Sequence, residues 1–344
     1  MKNHLFNKLA GLIFLVTLAP ADASAQSAAE FFSGRTITIL VGSGPGGITD
    51  TSARIISRYL EQYIPGTPTI IVKNMPGGGS VTMSNHVYRS APRDGTVLGY
   101  PLPGVLNAQL MEPNRAKYDA REFIWIGSLF KTTNVLSVLE SSPVDSIDDA
   151  RTTEFIIGST GRGSPLYQFP AMTKALLDLP MRIITGYDGG SDITLAMDRG
   201  EVEGQGPALD YWEISRPHWL TDGTLVHLVH IGPPDPERAP GVPHLSDLVS
   251  TDRERALVEF LEISANLGWP LYAPPGIPAD RAQALQEAFG QLVQDAEFAA
   301  AIQATMRAQL NPTVGDELAA FVNDALQTPP SIVDEAKTIL GLNR

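Results

Sequence analysis

The stretch Thr36-Ile-Thr-Ile-Leu-Val-Gly-Ser-Gly-Pro-Gly-Gly-Ile-Thr-Asp50 is a β-branched run that enters a glycine-rich turn and then opens an amphipathic helix. Ile48, Ser52, Ile55/Ile56, Tyr59/Leu60 and Tyr63 recur at helical spacing, which predicts a helix over about 49–63 closed by Pro65-Gly66. A helix N-terminus presents unpaired N–H groups and about half a positive charge, so this junction suits an anion. Gly42, Gly44 and Gly47 also match the G-x-G-x-x-G spacing of dinucleotide sites. Such a site wants an acidic residue at the end of the second strand, for the ribose. Here Thr69-Ile-Ile-Val72 ends in Lys73-Asn74. The turn therefore reads as a cradle for a small free anion.

The same grammar repeats outward from this unit. Pro76-Gly-Gly-Gly79 leads to a helix through about Arg89, and Asp94-Gly95 turns into a strand Thr96–Tyr100. Ile124–Phe130 and Val135–Val138 read as strands feeding a second lobe. There Phe155–Gly158 enters Ser159-Thr-Gly-Arg-Gly-Ser-Pro165, and Arg182–Thr185 enters Gly186-Tyr-Asp-Gly-Gly-Ser191, with a helix to about Arg199 stopped by Gly200. Val202–Gln205, Leu225–Ile231 and Leu267–Tyr272 are further strands. Pro233–Pro243 is an irregular connection back toward the first lobe, and helices follow over Asp280–Val293, Glu297–Ala308 and Asp316–Ala325. Alternating strands and helices make this an α/β chain.

Lys2 and Lys8, the apolar run Leu9–Leu18 and the small-x-small site Ala23-Ser24-Ala25 form a secretory signal peptide, expected to be cleaved near Ala25. The run is too short for a retained anchor, and no later segment has the ~18 apolar residues of a spanning helix. With no cysteine there is no lipid-modified thiol, disulfide framework or thiol chemistry, and a chain of 344 residues can bury a sufficient core without staples. The formal net charge is −13, and loss of the leader makes it one unit more negative. Nucleic acid and anionic membrane surfaces are excluded as partners. A small anionic ligand is not, because N–H groups act at contact distance while distant charges are screened beyond about 8 Å.

Three strand–glycine–helix junctions, around Gly46-Gly47, Gly161–Ser164 and Gly189–Ser191, occupy equivalent positions in two lobes, which favours one shared cleft. Ser43, Thr49, Ser159, Thr160, Ser164 and Ser191 add hydroxyls. Asp50 suits the first turn of its own helix as well as it suits a ligand. Arg162 is the one cation inside a candidate loop, and Asp210 completes the candidate set. Ser164 and Pro165 fit a helix cap and first position, but Pro170 pushes the expected start later. Tyr100, Tyr187, Tyr211, Trp212 and Trp269 offer walls for an organic body or ordinary core. His227 and His230, three apart in a strand, fall on opposite faces and cannot share a metal. Asp145, Asp148 and Asp149 read as a solvated helix start. There is no H-E-x-x-H, Walker or G-x-S-x-G motif and no nucleophile–base pair, so no catalytic, metal or cofactor site is expected.

Gly44-Pro-Gly-Gly-Ile-Thr-Asp50, Asp94-Gly-Thr96, Gly158–Ser164, Gly186–Gly190, Ala273-Pro-Pro-Gly-Ile-Pro278 and the helical tail, in this order, resemble the extracytoplasmic receptors of tripartite tricarboxylate transporters, the TctC or Bug type. The resemblance implies a monomeric periplasmic solute-binding protein of the two-lobed Venus-flytrap fold, each lobe a mixed sheet flanked by helices. It implies lobe one from 26–128, lobe two from 129–232, and a return over 233–344 with the C-terminal helices near the hinge. A small organic carboxylate would be held by backbone amides and waters at Gly46, Gly47, Thr49, Asp50, Ser159, Gly161, Ser164, Tyr187, Gly189 and Gly190, then passed to the membrane components of the transporter. Pro165-Leu166-Tyr167 stands where the family carries a His, Asp188 where it carries a basic residue, and Arg162 sits in the second loop, so the far end of the ligand is read differently here. Asp188 is expected to point outward or to pair with a cationic part of the ligand. An exported hydrolase using the same cleft, or a sensory receptor feeding a membrane kinase, are the alternatives.

Overall fold

The computed structural model describes residues 27–162 and 164–343; the signal-peptide segment lies outside them. Along the chain run α1 (Ala28–Phe32), β1 (Thr36–Val41), α2 (Ile48–Leu60), β2 (Thr69–Asn74), α3 (Val81–Arg89), β3 (Val97–Tyr100), α4 (Val105–Met111) and β4 (Ile124–Ser128). Then come β5 (Asn134–Leu139), α5 (Ile147–Ala150), β6 (Phe155–Ser159), α6 (Pro165–Leu177), β7 (Met181–Thr185), α7 (Gly190–Asp198), β8 (Gly204–Gln205), α8 (Leu209–Ser215) and β9 (Leu225–Ile231). The chain closes with α9 (Asp252–Leu267), β10 (Pro270–Ala273), α10 (Ala279–Leu292), α11 (Ala296–Met306), β11 (Thr313–Val314), α12 (Gly315–Ala325) and α13 (Pro330–Leu340). No helix among the described residues is long and apolar enough to cross a membrane.

Two mixed sheets result, β11-β4-β10-β3-β1-β2 and β7-β6-β8-β5-β9, each flanked by helices, the two-lobed architecture expected from the sequence. Their registers decide where the glycine loops fall. Val41 pairs with both Asn74 and Tyr100, so β1, β2 and β3 end at one edge. Strand β4, parallel to them through the antiparallel β10, ends there too and leaves through residues 129–133. Those residues deliver the chain to Asn134 at the start of β5. Strand β8 runs antiparallel to β5, with Ser137 opposite Gln205, and β6 and β7 run parallel to β8. The C-terminal ends of β6, β7 and β8 therefore gather at the edge where β5 begins. Both sets of strand ends flank the same crossing, which is where open α/β sheets bind ligands.

The crossing is stitched backbone to backbone. Thr132 N donates to Ala265 O at 2.9 Å, Leu209 N to Thr133 O at 2.8 Å and Asn311 N to Leu129 O at 3.1 Å. Two glycines make the approach possible. A Cβ on Gly268 (φ +61°) would stand 1.7 Å from Phe130 O, and one on Gly232 (φ +80°) 2.2 Å from Thr132 O. One apolar core bridges both sheets, joining Trp125 and Tyr272 to Phe155 and Phe169 through Leu257 of α9 and Val333 of α13. Separate cores fill the outer face of each lobe.

Four local expectations need correcting. Helix α9, sixteen residues, has no counterpart in the sequence reading, although Thr251 and Glu254 form the reciprocal capping box that announces it. Helix α6 starts at Pro165 despite Pro170, whose buried ring packs on Gly206, where a Cβ would come within 2.8 Å of it. That packing offsets the one hydrogen bond lost. Strand Val202–Gln205 shrinks to two residues, Gly204 and Gln205. Finally, a bulge in β9 opposes His230 to Val135 and His227 to Ser137, two positions apart on β5, so both histidines share a face. His227 there bonds Ser137 Oγ through Nδ1 at 2.8 Å, and burial lowers its pKa to about 4.

Replacing Gly268 by alanine is expected to lower the unfolding free energy by about 2–4 kcal/mol, because a forbidden backbone region and a backbone clash coincide. Gly34→Ala, also at positive φ but with nothing within 4 Å, should lose only about 1–2 kcal/mol. Equal losses in chemical denaturation would contradict the close crossing.

Candidate functional site

The first-lobe loop is shaped from below by Asp50. This carboxylate is only 3% exposed. It accepts bonds from Gly46 N, Arg54 Nε and Nη2, and Asn74 Nδ2, all at 2.9 Å. Asn74 Nδ2 also donates to Ser43 O at 3.0 Å, so the end of β2 is tied to the turn. The Arg54 guanidinium beside Asp50 holds its pKa down at about 2. With both oxygens engaged, the Asp50 side chain is a support for the loop. Lys73-Asn74, the pair that argued against a dinucleotide, thus has a positive role through its asparagine.

Above that support the backbone is bare. Gly44–Ile48 are exposed, and Gly47 (φ −88°, ψ 176°) caps α2 without any side-chain hydrogen bond. Thr49 is buried, its Oγ1 accepting from Trp269 Nε1 at 3.0 Å, with Trp269 edge-on to Phe130 at the crossing. Ser43 Oγ turns onto Gly44 O at 3.3 Å. The first-turn N–H groups of α2 have no side-chain cap, which is what an external anion requires.

The second lobe repeats the arrangement. Gly189, extended at φ −171°, caps α7 with no side-chain bond. Tyr187 is half-buried, its N–H 3.4 Å from Ser159 O, and burial raises its phenol pKa; Asp188 is exposed. Ser164 Oγ accepts from Leu166 N at 3.2 Å, so α6 carries its own cap. Ser159 Oγ and Thr160 Oγ1 are buried hydroxyls without a hydrogen-bond partner among the described residues, at the end of the strand that leads into this loop. Gln205 Oε1 is a third such atom, on the neighbouring strand. Sequence reasoning missed Gln205, because a two-residue strand carries almost no periodic signal.

A Cβ added to Gly44, Gly46, Gly47, Gly161, Gly186 or Gly189 would meet nothing within 4 Å. Gly47 and Gly189 also have backbone angles open to any residue. Neither packing nor conformation requires glycine at those two caps, and the bare backbone leaves both N-termini accessible. Gly190 differs: a Cβ there would lie 3.1 Å from the Tyr211 ring.

Two expected contacts are drawn elsewhere. Arg162 Nη1 donates to Gly341 O at 3.3 Å, at the C-terminal end of α13, where the helix dipole favours a cation. Asp210 is paired with Arg238, which also meets Asp235 at 2.6 Å and Glu213 at 3.3 Å. That cluster lines a separate polar cavity of about 490 Å³ at the crossing, with Lys131, Thr133 and Arg307. A cation already neutralised by three carboxylates is a poor grip for another anion.

No family model matches the chain. The UPF0065 protein of the tcbD–tcbE intergenic region of Pseudomonas sp. strain P51 is 26% identical over 201 residues, covering 57% of this chain and 58% of that protein. A UPF0065 protein of Bordetella pertussis is 32% identical over 84 residues, 24% of this chain and 25% of that protein. The matched stretches thus span little more than half, and about a quarter, of these relatives. Among solved structures, a TctC solute-binding protein from Polaromonas superposes with a TM-score of 0.69 at 18% identity, covering 88% of this chain and 98% of its own. Rhodopseudomonas palustris Rpa4515, solved with adipate, gives 0.63 at 18% identity, with 89% and 97% covered. MatC from the same organism, with bound malate, gives 0.60 at 19%, with 87% and 99% covered. The resemblance to TctC- and Bug-type receptors holds at the level of the fold.

Asp50→Asn is expected to cost about 1–3 kcal/mol at neutral pH, since it disrupts charge-assisted bonds that support the loop. A carboxyl whose pKa falls from 3.8 to about 2 on folding adds stability that is complete above about pH 4 and fades as pH falls toward 2. The difference in melting temperature between wild type and variant should therefore shrink over that window. A difference independent of pH there would contradict the support role.

Proposed function

We propose that this chain is an exported, periplasmic solute-binding receptor. It captures a small organic carboxylate between its lobes and passes it to the membrane components of a tripartite tricarboxylate-type transporter, without turnover. The observation that carries this reading is the pair of helix N-termini without a side-chain cap, α2 at Gly47 and α7 at Gly189, each following a strand end at an edge that flanks the crossing. Each favours a negative charge by about 0.3–1 kcal/mol when exposed and up to about 2 kcal/mol when partly buried. A ligand that touches both gains the second contribution only when the lobes approach, so it selects the closed state.

In this reading 26–128 and 233–344 make one lobe and 129–232 the other. Gly46, Gly47 and Thr49 face Ser159, Thr160, Gly161, Tyr187, Gly189 and Gly190 across the gap. Ser43, Asp50 and Ser164 hold their loops. The adipate- and malate-bound structural neighbours support a carboxylate as the cargo class, and the leader ending near Ala25 supports export.

Thermal denaturation against a panel of mono-, di-, tri- and aromatic carboxylates tests the class. A true ligand at a hundredfold excess over its Kd stabilises by about 2.7 kcal/mol; a panel in which none raises the melting temperature would count against the proposal. Gly47→Val and Gly161→Val fill open space. Both should keep stability within about 1 kcal/mol of wild type while losing binding, as measured by calorimetric titration. Wild-type affinity in both variants would remove the site assignment.

A further inference from the structure

We infer that Gln205 reads a hydrogen-bond donor on the ligand, so that this receptor prefers a carboxylate bearing a hydroxyl beside its acid group over the same acid without one. The inference rests on the carboxylate reading above and narrows its ligand class.

Strand β8 is wedged between β5 and β6, so tightly that a Cβ on Gly204 would stand 2.0 Å from Ser137 O. Its second residue, Gln205, is 0% exposed and lies beside Gly158 in register, with its amide against the first turns of α7. The protons around that amide can be counted. Thr194 Oγ1 has one proton, and it goes to Gly190 O at 3.0 Å, a carbonyl that can only accept. Thr194 Oγ1 must then accept from its other neighbours, Tyr211 Oη at 2.6 Å and Gln205 Nε2 at 2.9 Å. Nε2 also points at Gly190 O, 3.4 Å away, where an amide oxygen would be repelled. Both contacts favour the orientation of the Gln205 amide that puts Oε1 on the far side.

Oε1 is left buried and without a partner among the described residues, 3.5 Å from where a Cβ on Gly190 would be. It therefore sits next to the uncapped N-terminus of α7. The N–H groups there suit a carboxylate, whereas a bare acceptor repels one. A ligand that satisfies both must place an acid group on the helix and a donor on the adjacent carbon, which is the pattern of a 2-hydroxy acid. Leaving the acceptor unmatched penalises an analogue that lacks the donor.

Calorimetric titration of the full chain with two matched pairs, L-malate against succinate and 2-hydroxyadipate against adipate, tests this directly. In at least one pair the hydroxylated member should bind about tenfold tighter or more. In Gln205→Leu, which removes the acceptor and leaves Tyr211 to satisfy Thr194, that ratio should fall below about threefold. An unsubstituted acid that binds the wild type as tightly as its hydroxylated partner overturns the role of Gln205 and leaves the receptor reading intact. Absence of binding by both pairs and by the whole carboxylate panel overturns both. The wild-type comparison decides the matter even if the variant fails to fold.

Discussion

The backbone crossing between the lobes is the constraint on which the rest depends. Peptide groups of 129–133, 207–209, 265–269 and 311 bond directly to one another, and Gly232 and Gly268 are what let the chains come so close. Because β4 and β5 are joined there, the two sheets have no choice about which edges they present to each other. The glycine loops at the ends of β1, β6 and β7 lie, as a consequence of strand direction, at the sheet edges that flank this crossing. Shared core residues of α9 and α13 then lie along both sheets, so motion of one lobe against the other works against a continuous apolar surface.

Local and global electrostatics point in opposite directions. The chain carries a formal charge of −13, and two of its cations close to the crossing and the first-lobe loop are held by neighbouring carboxylates: Arg54 by Asp50, and Arg238 by Asp210, Glu213 and Asp235. At the glycine loops themselves, what is offered to the proposed anion is peptide dipole and hydroxyl. Such a grip is short-ranged and weakly affected by screening. It also adds no mobile charge that would have to be neutralised when no anion is bound. Asp50 illustrates the economy: an acidic residue beside the proposed anion site is tolerated because four donors hold it below the loop.

Local rhythm was legible in the sequence, and partnership over distance was not. Thr36–Val41, Leu225–Ile231 and the glycine turns are strong local signals, and α7 ends where Gly200 takes positive φ. Helix α9 is announced in the sequence by the capping pair Thr251 and Glu254 and by its apolar residues Leu257, Val258, Phe260 and Leu261. Arg162 finds its partner 179 residues away at Gly341, and Asp210 finds Arg238 across a proline-rich turn; neither pairing has a sequence signature. The β9 bulge moved His227 and His230 onto one face, which strict alternation cannot foresee. Gln205 escaped for a related reason: its meaning comes from Thr194 and Gly190, which only tertiary packing supplies.

Backbone amide NMR during titration with a dicarboxylate tests the central claim most directly, because it reports on the peptide groups proposed to grip the ligand. The largest shifts should fall on the amides of 46–50 in one lobe and 189–192 in the other, and should saturate together. Shifts confined to one lobe, or centred on the Arg238 cavity while those amides stay unmoved, would contradict the account.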